Sequence, residues 1–242
     1  MVDEKVLRKI FTEFYSILLD DDHAGEFFNS FALIDSLISR QSSVVKEVFK
    51  ALKDNNEEKA REVLIRLAKR HRELGIDGKI FYDSVKIYED LVLKNIQLKV
   101  DNGKLWLFSE LLKKTTAEVY ISDILEEFVG YLTSAVKKET DFYYDQYIYH
   151  LMKRKIETFR DTVRKAFKGE IVPVISHTTC EVGKFLDGLA FDIIAFSNNE
   201  LALKIKFSHK KIHSLERNII SEVSKGCYER AVSLTQSLVE EG

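Results

Sequence analysis

The sequence predicts an all-α protein, and three observations carry that expectation. Apolar residues recur at i, i+3, i+4 and i+7 along almost the whole chain, the period of one helix face. The 242 residues include a single proline, Pro173, and ten glycines, so long helices can run with few interruptions. No sustained apolar–polar alternation marks a strand. The nearest stretch, Ala202 to Phe207, leads straight into the helical pattern at His209.

Taken in order, Val6, Ile10, Phe14 and Ile17 predict the apolar face of a first helix. Turn signals follow at Asp20 to His23 and at Asn29-Ser30, and again at Asp54 to Asn56. Val63, Leu67, His71 and Leu74 predict the next face, closed by Gly75 to Gly78. Phe81, Val85, Tyr88, Leu91, Val92 and Ile96 mark another helix, which ends before Asp101 to Gly103. Later breaks fall at Phe167 to Gly169 and at Phe196 to Asn199. No period of 20–50 residues repeats. The length suits two domains, 1–137 and 138–242, with the boundary inside a continuous helix near Lys137. Two helical domains joined by a helix can pass rotation or shear, which suits signalling.

Charged residues make up 31% and hydrophobic ones 45%, the balance of a soluble globular protein. A net charge of −2 gives no electrostatic case for nucleic acid or an anionic membrane. The aromatic run Phe142 to Tyr149 therefore reads as core or dimer interface rather than a base-stacking surface. No apolar run approaches about 18 residues and no signal peptide precedes the first helix, so the expectation is a cytoplasmic protein without membrane insertion. Two cysteines make no disulfide framework, and Cys227 reads as a buried small hydrophobe. Phosphate-binding glycine loops, nucleophile elbows and paired Ser/His/Asp are absent, which favours sensing over catalysis.

Four residues carry the most chemistry: His150, Cys180, His209 and His213, separated by 30, 29 and 4 residues. His209 and His213 stand one helical turn apart, so both imidazoles leave the same face and can grip one ion. One thiolate and three imidazoles form a tetrahedral set that suits zinc, and four protein ligands leave no site for a catalytic water. His177, three residues before Cys180, is a competing donor.

The stretch from His177 through Cys180 to Gly183-Lys184-Phe185, with the closing pair His209 and His213, resembles the CZB family of bacterial zinc-binding sensor domains first noted beside chemoreceptors. Phe185 stands where that family often has Trp. The resemblance covers residues 140–225 and implies a zinc-binding four-helix bundle whose cysteine responds to oxidants or to zinc itself.

A second resemblance covers residues 1–136. Phe14-Tyr15, the acidic turn Asp20 to Asp22, Ala24 and Phe27-Phe28 look like the opening of the globin-coupled sensors, and His71 followed by Gly75-Ile76 sits where their proximal histidine belongs. The resemblance implies a globin-like domain holding haem b. His71 would be the axial ligand, Tyr15 a hydrogen-bond donor to bound O₂ or another diatomic gas, and Leu37 a distal-pocket residue. Gln41 to Val45 stand where the family usually has Trp, and some such domains hold no haem. Relatives of both modules dimerise and commonly act on chemoreceptor signalling regions or diguanylate cyclases. No such output follows before Gly242, so an output partner in another chain or segment is expected. The candidate dimer surfaces are the aromatic run and Leu105-Trp106, Val119, Ile124, Leu125 and Phe128. Three readings follow: a haem gas or redox sensor coupled to a zinc sensor, a haem-free globin-fold interaction module carrying the zinc domain, and a haem enzyme.

Overall fold

The computed structural model describes residues 3–20, 31–96, 101–139 and 143–241. Ten helices and no strand are present among them, so the fold class is all-α. The helices are α1 (Glu4–Leu19), α2 (Phe31–Lys53), α3 (Glu57–Glu73), α4 (Gly78–Ile96), α5 (Asn102–Glu139), α6 (Tyr143–Phe167), α7 (Glu181–Leu186), α8 (Leu189–Ser197), α9 (Asn199–Ser224) and α10 (Tyr228–Glu241). Ala202 to Phe207, the nearest approach to a strand pattern, lies within α9. No helix among the described residues is long and apolar enough to cross a membrane.

The chain divides into two compact units, Met1–Tyr120 and Ile121–Gly242, and the division falls within α5. The sequence expectation put it at 137/138, toward the far end of the same helix. Residues 140–142, between α5 and α6, lie outside the described residues, as does the segment 21–30 that carries Ala24 and Phe27-Phe28.

In the first unit α1 packs on α2 and α4, and α2 packs on α3. Asp3 caps α1 by accepting from the Lys5 amide, and Asn56 caps α3 by accepting from Lys59 at 3.0 Å. Glu57 and Glu58 then sit in the first turn of α3 and Arg70, His71 and Arg72 in its last, matching the helix dipole at both ends. Gly75, at φ +78°, takes the left-handed position that stops the helix. An aromatic cluster fills the centre. Phe11 stacks on Tyr88 with centroids 5.2 Å apart, Phe14 meets both Tyr15 and Tyr88 edge-on, and Phe49 stacks on Phe108 at 5.0 Å. Tyr120, wholly buried, donates to the Ile76 carbonyl at 2.9 Å and so ties α5 to the turn after α3.

The buried face of α1 is turned by one position from the expected one. Leu7, Ile10, Phe11, Tyr15 and Leu18 are buried, whereas Ile17 is exposed. Positions 6, 7, 10, 11, 14, 15, 17 and 18 are all apolar or aromatic, so two faces roughly 100° apart fit the same period. In α3 the buried set is Ala60, Val63, Leu64 and Ala68, with Leu67 and His71 half-buried and Leu74 exposed. For α4 the expected face is the observed one through Val92, and Tyr82 joins it.

In the second unit α9 packs against both α6 and α10, and of the two short helices between α6 and α9 in the chain α7 contacts α6, α8 contacts α9, and the two contact each other. Ile156, Phe159 and Val163 of α6, Ile219 and Val223 of α9, and Val232 and Leu238 of α10 are buried. Leu105, Val119, Ile124, Leu125 and Phe128, expected at a dimer surface, are buried within the chain itself; Trp106 alone of that set is exposed. From the aromatic run, Tyr149 shares a 2.7 Å hydrogen bond with Thr133, and Tyr147 is half-exposed near Phe185. Cys227 is exposed rather than buried, because it stands just past the left-handed Gly226 that ends α9.

The turned face of α1 is testable by denaturant unfolding. Leu7→Ala should cost about 2–5 kcal/mol, the range for a fully buried leucine. Ile17→Ala should stay within about 0.5 kcal/mol. Equal costs would mean that the face is the other one.

Candidate metal centre

The site begins with a tight turn. The Thr179 and Cys180 amides both donate to the Ser176 carbonyl at 3.1 Å, which folds 176–180 back on itself and delivers Cys180 to the start of α7. Cys180 is the N-cap of α7. Its Sγ accepts from the Gly183 amide at 3.1 Å, as a serine oxygen would at this position. The thiolate is the metal-binding form of a cysteine.

Gly183 is needed for space rather than for its dihedral angles. A Cβ there would lie 1.8 Å from the His177 carbonyl oxygen and 3.3 Å from Cε1 of His209. Only glycine lets the 176–180 turn close over α7 while α9 approaches from the other side.

α9 supplies the nitrogen donors. Asn198 caps it by accepting from Leu201 at 3.0 Å, and the helix then runs unbroken to Ser224. His209 and His213 are both buried on the face toward Cys180, with ring centroids 4.8 Å apart and planes nearly perpendicular. Each points Nε2 at the sulfur, and both Nε2···Sγ distances are 3.2 Å. Bonds of about 2.0–2.1 Å to nitrogen and 2.3 Å to sulfur, at a tetrahedral angle, would separate these atoms by about 3.5 Å. Three donors converging on one point at nearly that spacing form a group that can hold a metal ion, and the donor set is compatible with zinc.

The electrostatics agree. Burial, followed by the neighbouring His213 and Lys155, pulls the His209 pKa down to about 4, so the ring is neutral at pH 7 and its lone pair is free for a metal. On the far side of His213, Oε2 of Glu216 lies 3.1 Å from Nδ1, an ion-pair distance but off the axis of a ring N–H. Burial alone would push the Glu216 carboxyl up. The nearby His213 and the charge of Lys155 outweigh it and hold the group below its ordinary value. Lys155, on α6, pairs with the other oxygen, Oε1.

His150 stands apart from the group of three. It is exposed on α6 with its ring 5.2 Å from that of Tyr149. One turn further, Arg154 reaches Glu181, the residue after Cys180, at 3.1 Å. His177, the competing donor, has its ring 6.4 Å from that of His213. A cavity of about 280 Å³ opens beside the sulfur, lined by Cys180, His213 and Glu216, by Lys155 and Phe159 of α6, and by Ile175.

In the first unit His71, Tyr15 and Leu37 are each placed by different neighbours. His71 Nδ1 lies 2.7 Å from the Leu67 carbonyl, and the ring meets Phe81 edge-on at 4.9 Å. Burial holds its pKa below the ordinary histidine value, so the ring is neutral. Tyr15 is buried. Loss of water pushes its phenol up to about 12 against the opposing effect of a hydrogen bond with Gln41. Leu37 is half-buried on α2. The hydroxyl of Tyr88, inside the aromatic cluster, has no hydrogen-bond partner among the described residues.

Glu216 and Lys155 are absent from the sequence expectation. The available signal was a carboxylate three residues after His213, on the same helix face, but without the fold that spacing is indistinguishable from a surface pair. No family model matches the chain, and neither does any curated protein or solved structure.

The Gly183 contact sets a clear expectation. Gly183→Ala must displace a backbone carbonyl, so it should cost about 1–3 kcal/mol in denaturant unfolding, the range for overpacking. It should also weaken metal binding, measured by chelator competition, because the displaced turn carries Cys180. Unchanged affinity would show that the close approach does not hold the sulfur in place.

Proposed function

We propose that this chain is a bacterial signal-transduction sensor whose second unit binds one zinc ion through Cys180, His209, His213 and His150, and responds through the cysteine. The observation that carries the reading is the convergence of two buried imidazole nitrogens on one sulfur at 3.2 Å. His150 enters as fourth ligand on its spacing from Cys180 and on its position one turn before Arg154, which is already tied to the residue beside Cys180. His177 is the second reading for that place, favoured by its ring 6.4 Å from His213.

Four protein ligands would close the coordination sphere and make the metal structural or regulatory. Bound through Cys180, His209, His213 and His150, zinc would supply a charge tying the turn 176–180, α9 and α6 together. What the chain's own residues do is present two imidazole nitrogens and a sulfur at fixed distance. A thiolate remains open to oxidation by peroxide, which transfers an oxygen to sulfur and leaves hydroxide. The sulfenic acid is a poorer ligand, so oxidation would loosen the helices. A plain zinc-concentration sensor is the alternative input. The exposed Cys227 is a second target for any oxidant and serves as an internal comparison.

The first unit enters the proposal as a globin-like haem domain held by His71. A ligating histidine commonly donates its other ring N–H to a backbone carbonyl, and Nδ1 of His71 already lies 2.7 Å from that of Leu67. Haem b, bound through Nε2, would supply an iron with an open position for O₂ or another diatomic gas. Tyr15 would donate to that gas and Leu37 would exclude water. The buried Tyr88 hydroxyl, without a partner among the described residues, is a polar group that a ligand could satisfy. The competing reading is a haem-free interaction module, supported by the closed packing of Phe11, Phe14 and Tyr88 and by the bond of Tyr15 with Gln41. The sensed signal would reach a diguanylate cyclase or chemotaxis output, with the chain acting as a homodimer.

Two measurements test these readings. Elemental analysis of protein purified without chelator should give one zinc per chain. His209→Ala should lose it, and His150→Ala should weaken it far more than His177→Ala does. The reverse order would move the fourth ligand to His177, and zinc well below half an equivalent would end the metal reading. The absorption spectrum after addition of haem should show a Soret band near 400 nm that His71→Ala abolishes. Protein that takes up no haem would leave the interaction module.

A further inference from the structure

Beyond the ligands themselves, one chain of polar contacts leads from the metal group to a different helix. His213 Nδ1 faces Glu216 Oε2 at 3.1 Å, and Glu216 Oε1 pairs with Lys155 Nζ. All three side chains are largely out of water: His213 is 3% exposed, Glu216 9% and Lys155 16%. A buried ion pair is no cheap source of stability. Removing two charges from water costs several kcal/mol per ion, often more than their attraction returns. A pair kept at this depth, with one partner against a candidate ligand ring, points to a task at that ring. A carboxylate behind a ligating histidine fixes which nitrogen carries the proton and turns the other toward the metal. The lysine that pairs with this carboxylate comes from α6.

We propose that Glu216 is a positioning residue for the metal, its carboxylate beside Nδ1 of His213 keeping the ring turned with Nε2 toward the Cys180 sulfur, and that Lys155 joins this network to α6 so that metal loss is felt along that helix. The inference rests on the zinc reading. It adds a route by which occupancy leaves the site: α9 carries the ligand and the carboxylate, α6 carries the counter-charge, and α6 stands at the start of the second unit's helix pairing with α9.

The test uses the whole chain with zinc bound. Zinc affinity by chelator competition should fall about 10- to 100-fold in Glu216→Gln, the usual effect of losing such an outer partner. It should fall less in Lys155→Met and recover in Lys155→Arg. Nitrogen NMR of the imidazoles should show His213 in a single tautomer in the parent and a mixture in Glu216→Gln. Amide exchange along α6 around Lys155 should quicken when zinc is removed from the parent, and should already be quick in zinc-bound Lys155→Met. Val232→Ala, a core change on α10, controls for plain destabilisation and should leave zinc affinity unchanged. A parent that binds one zinc while Glu216→Gln matches its affinity within about twofold overturns the positioning role and leaves the zinc centre standing. Equal losses of affinity in Glu216→Gln and Val232→Ala overturn it as well, since they would reflect stability alone. Exchange in α6 indifferent to zinc overturns the route to that helix. A parent that binds no zinc overturns the inference together with the reading beneath it.

Discussion

The second unit depends on how closely the 176–180 turn approaches α7 and α9. The Cys180 sulfur must accept from the Gly183 amide while two imidazoles of α9 reach it from the opposite side. That leaves no volume for a side chain at 183, where a Cβ would meet the His177 carbonyl at 1.8 Å. Everything else follows from keeping that approach. α9 needs an unbroken helix so that His209 and His213 keep one face, and Asn198 starts it cleanly. α6 needs its register against α9 so that Lys155 meets Glu216. Core residues such as Ile156, Phe159 and Ile219 supply the apolar burial that makes this affordable.

The first unit is built on a different principle. Its centre is an aromatic cluster, with Phe11, Phe14, Tyr15, Tyr88, Phe49 and Phe108 meeting in stacked and edge-on pairs. Rings of this size bury about 150–250 Å² each, so a few of them hold α1, α2, α4 and α5 together without many specific polar contacts. The polar groups inside are correspondingly few. Tyr120 is satisfied by the Ile76 carbonyl and Tyr82 by that of Lys113, whereas the Tyr88 hydroxyl finds no partner among the described residues. The contrast between the units is chemical: one converges nitrogen and sulfur on a point, and the other packs aromatic rings against one another.

Fold class and the pairing of His209 with His213 were legible in the sequence because each depends on spacing along one chain segment. Helical periodicity needs only local order, and His209 with His213 needs only one turn of helix. The helix face of α1 was not legible, because apolar residues on two adjacent faces give the same period and only the partners α2 and α4 choose between them. The exposure of Cys227 depends on where α9 stops, a matter of one left-handed glycine. The position of His150 outside the group of three is likewise tertiary: a spacing of thirty residues names a candidate but does not place α6 relative to the turn. Glu216 and Lys155 lie 61 residues apart, and nothing in either neighbourhood announces the other.

That last pair shows how a buried charge can be retained where an apolar side chain would cost less. An alkyl group at 216 would fill the space and remove the desolvation penalty, yet it would set no negative charge beside Nδ1 of His213. An alkyl group at 155 would leave Glu216 buried without its counter-charge, which disfavours the ionised carboxylate. Each member is therefore tolerable only because the next one is present. The chain runs from sulfur to imidazole to carboxylate to ammonium, and it ends on a helix that supplies neither the thiolate nor the paired imidazoles. Such a dependence makes the polar network cooperative, and it gives the packing of α6 against α9 a reason to respond to what the sulfur holds.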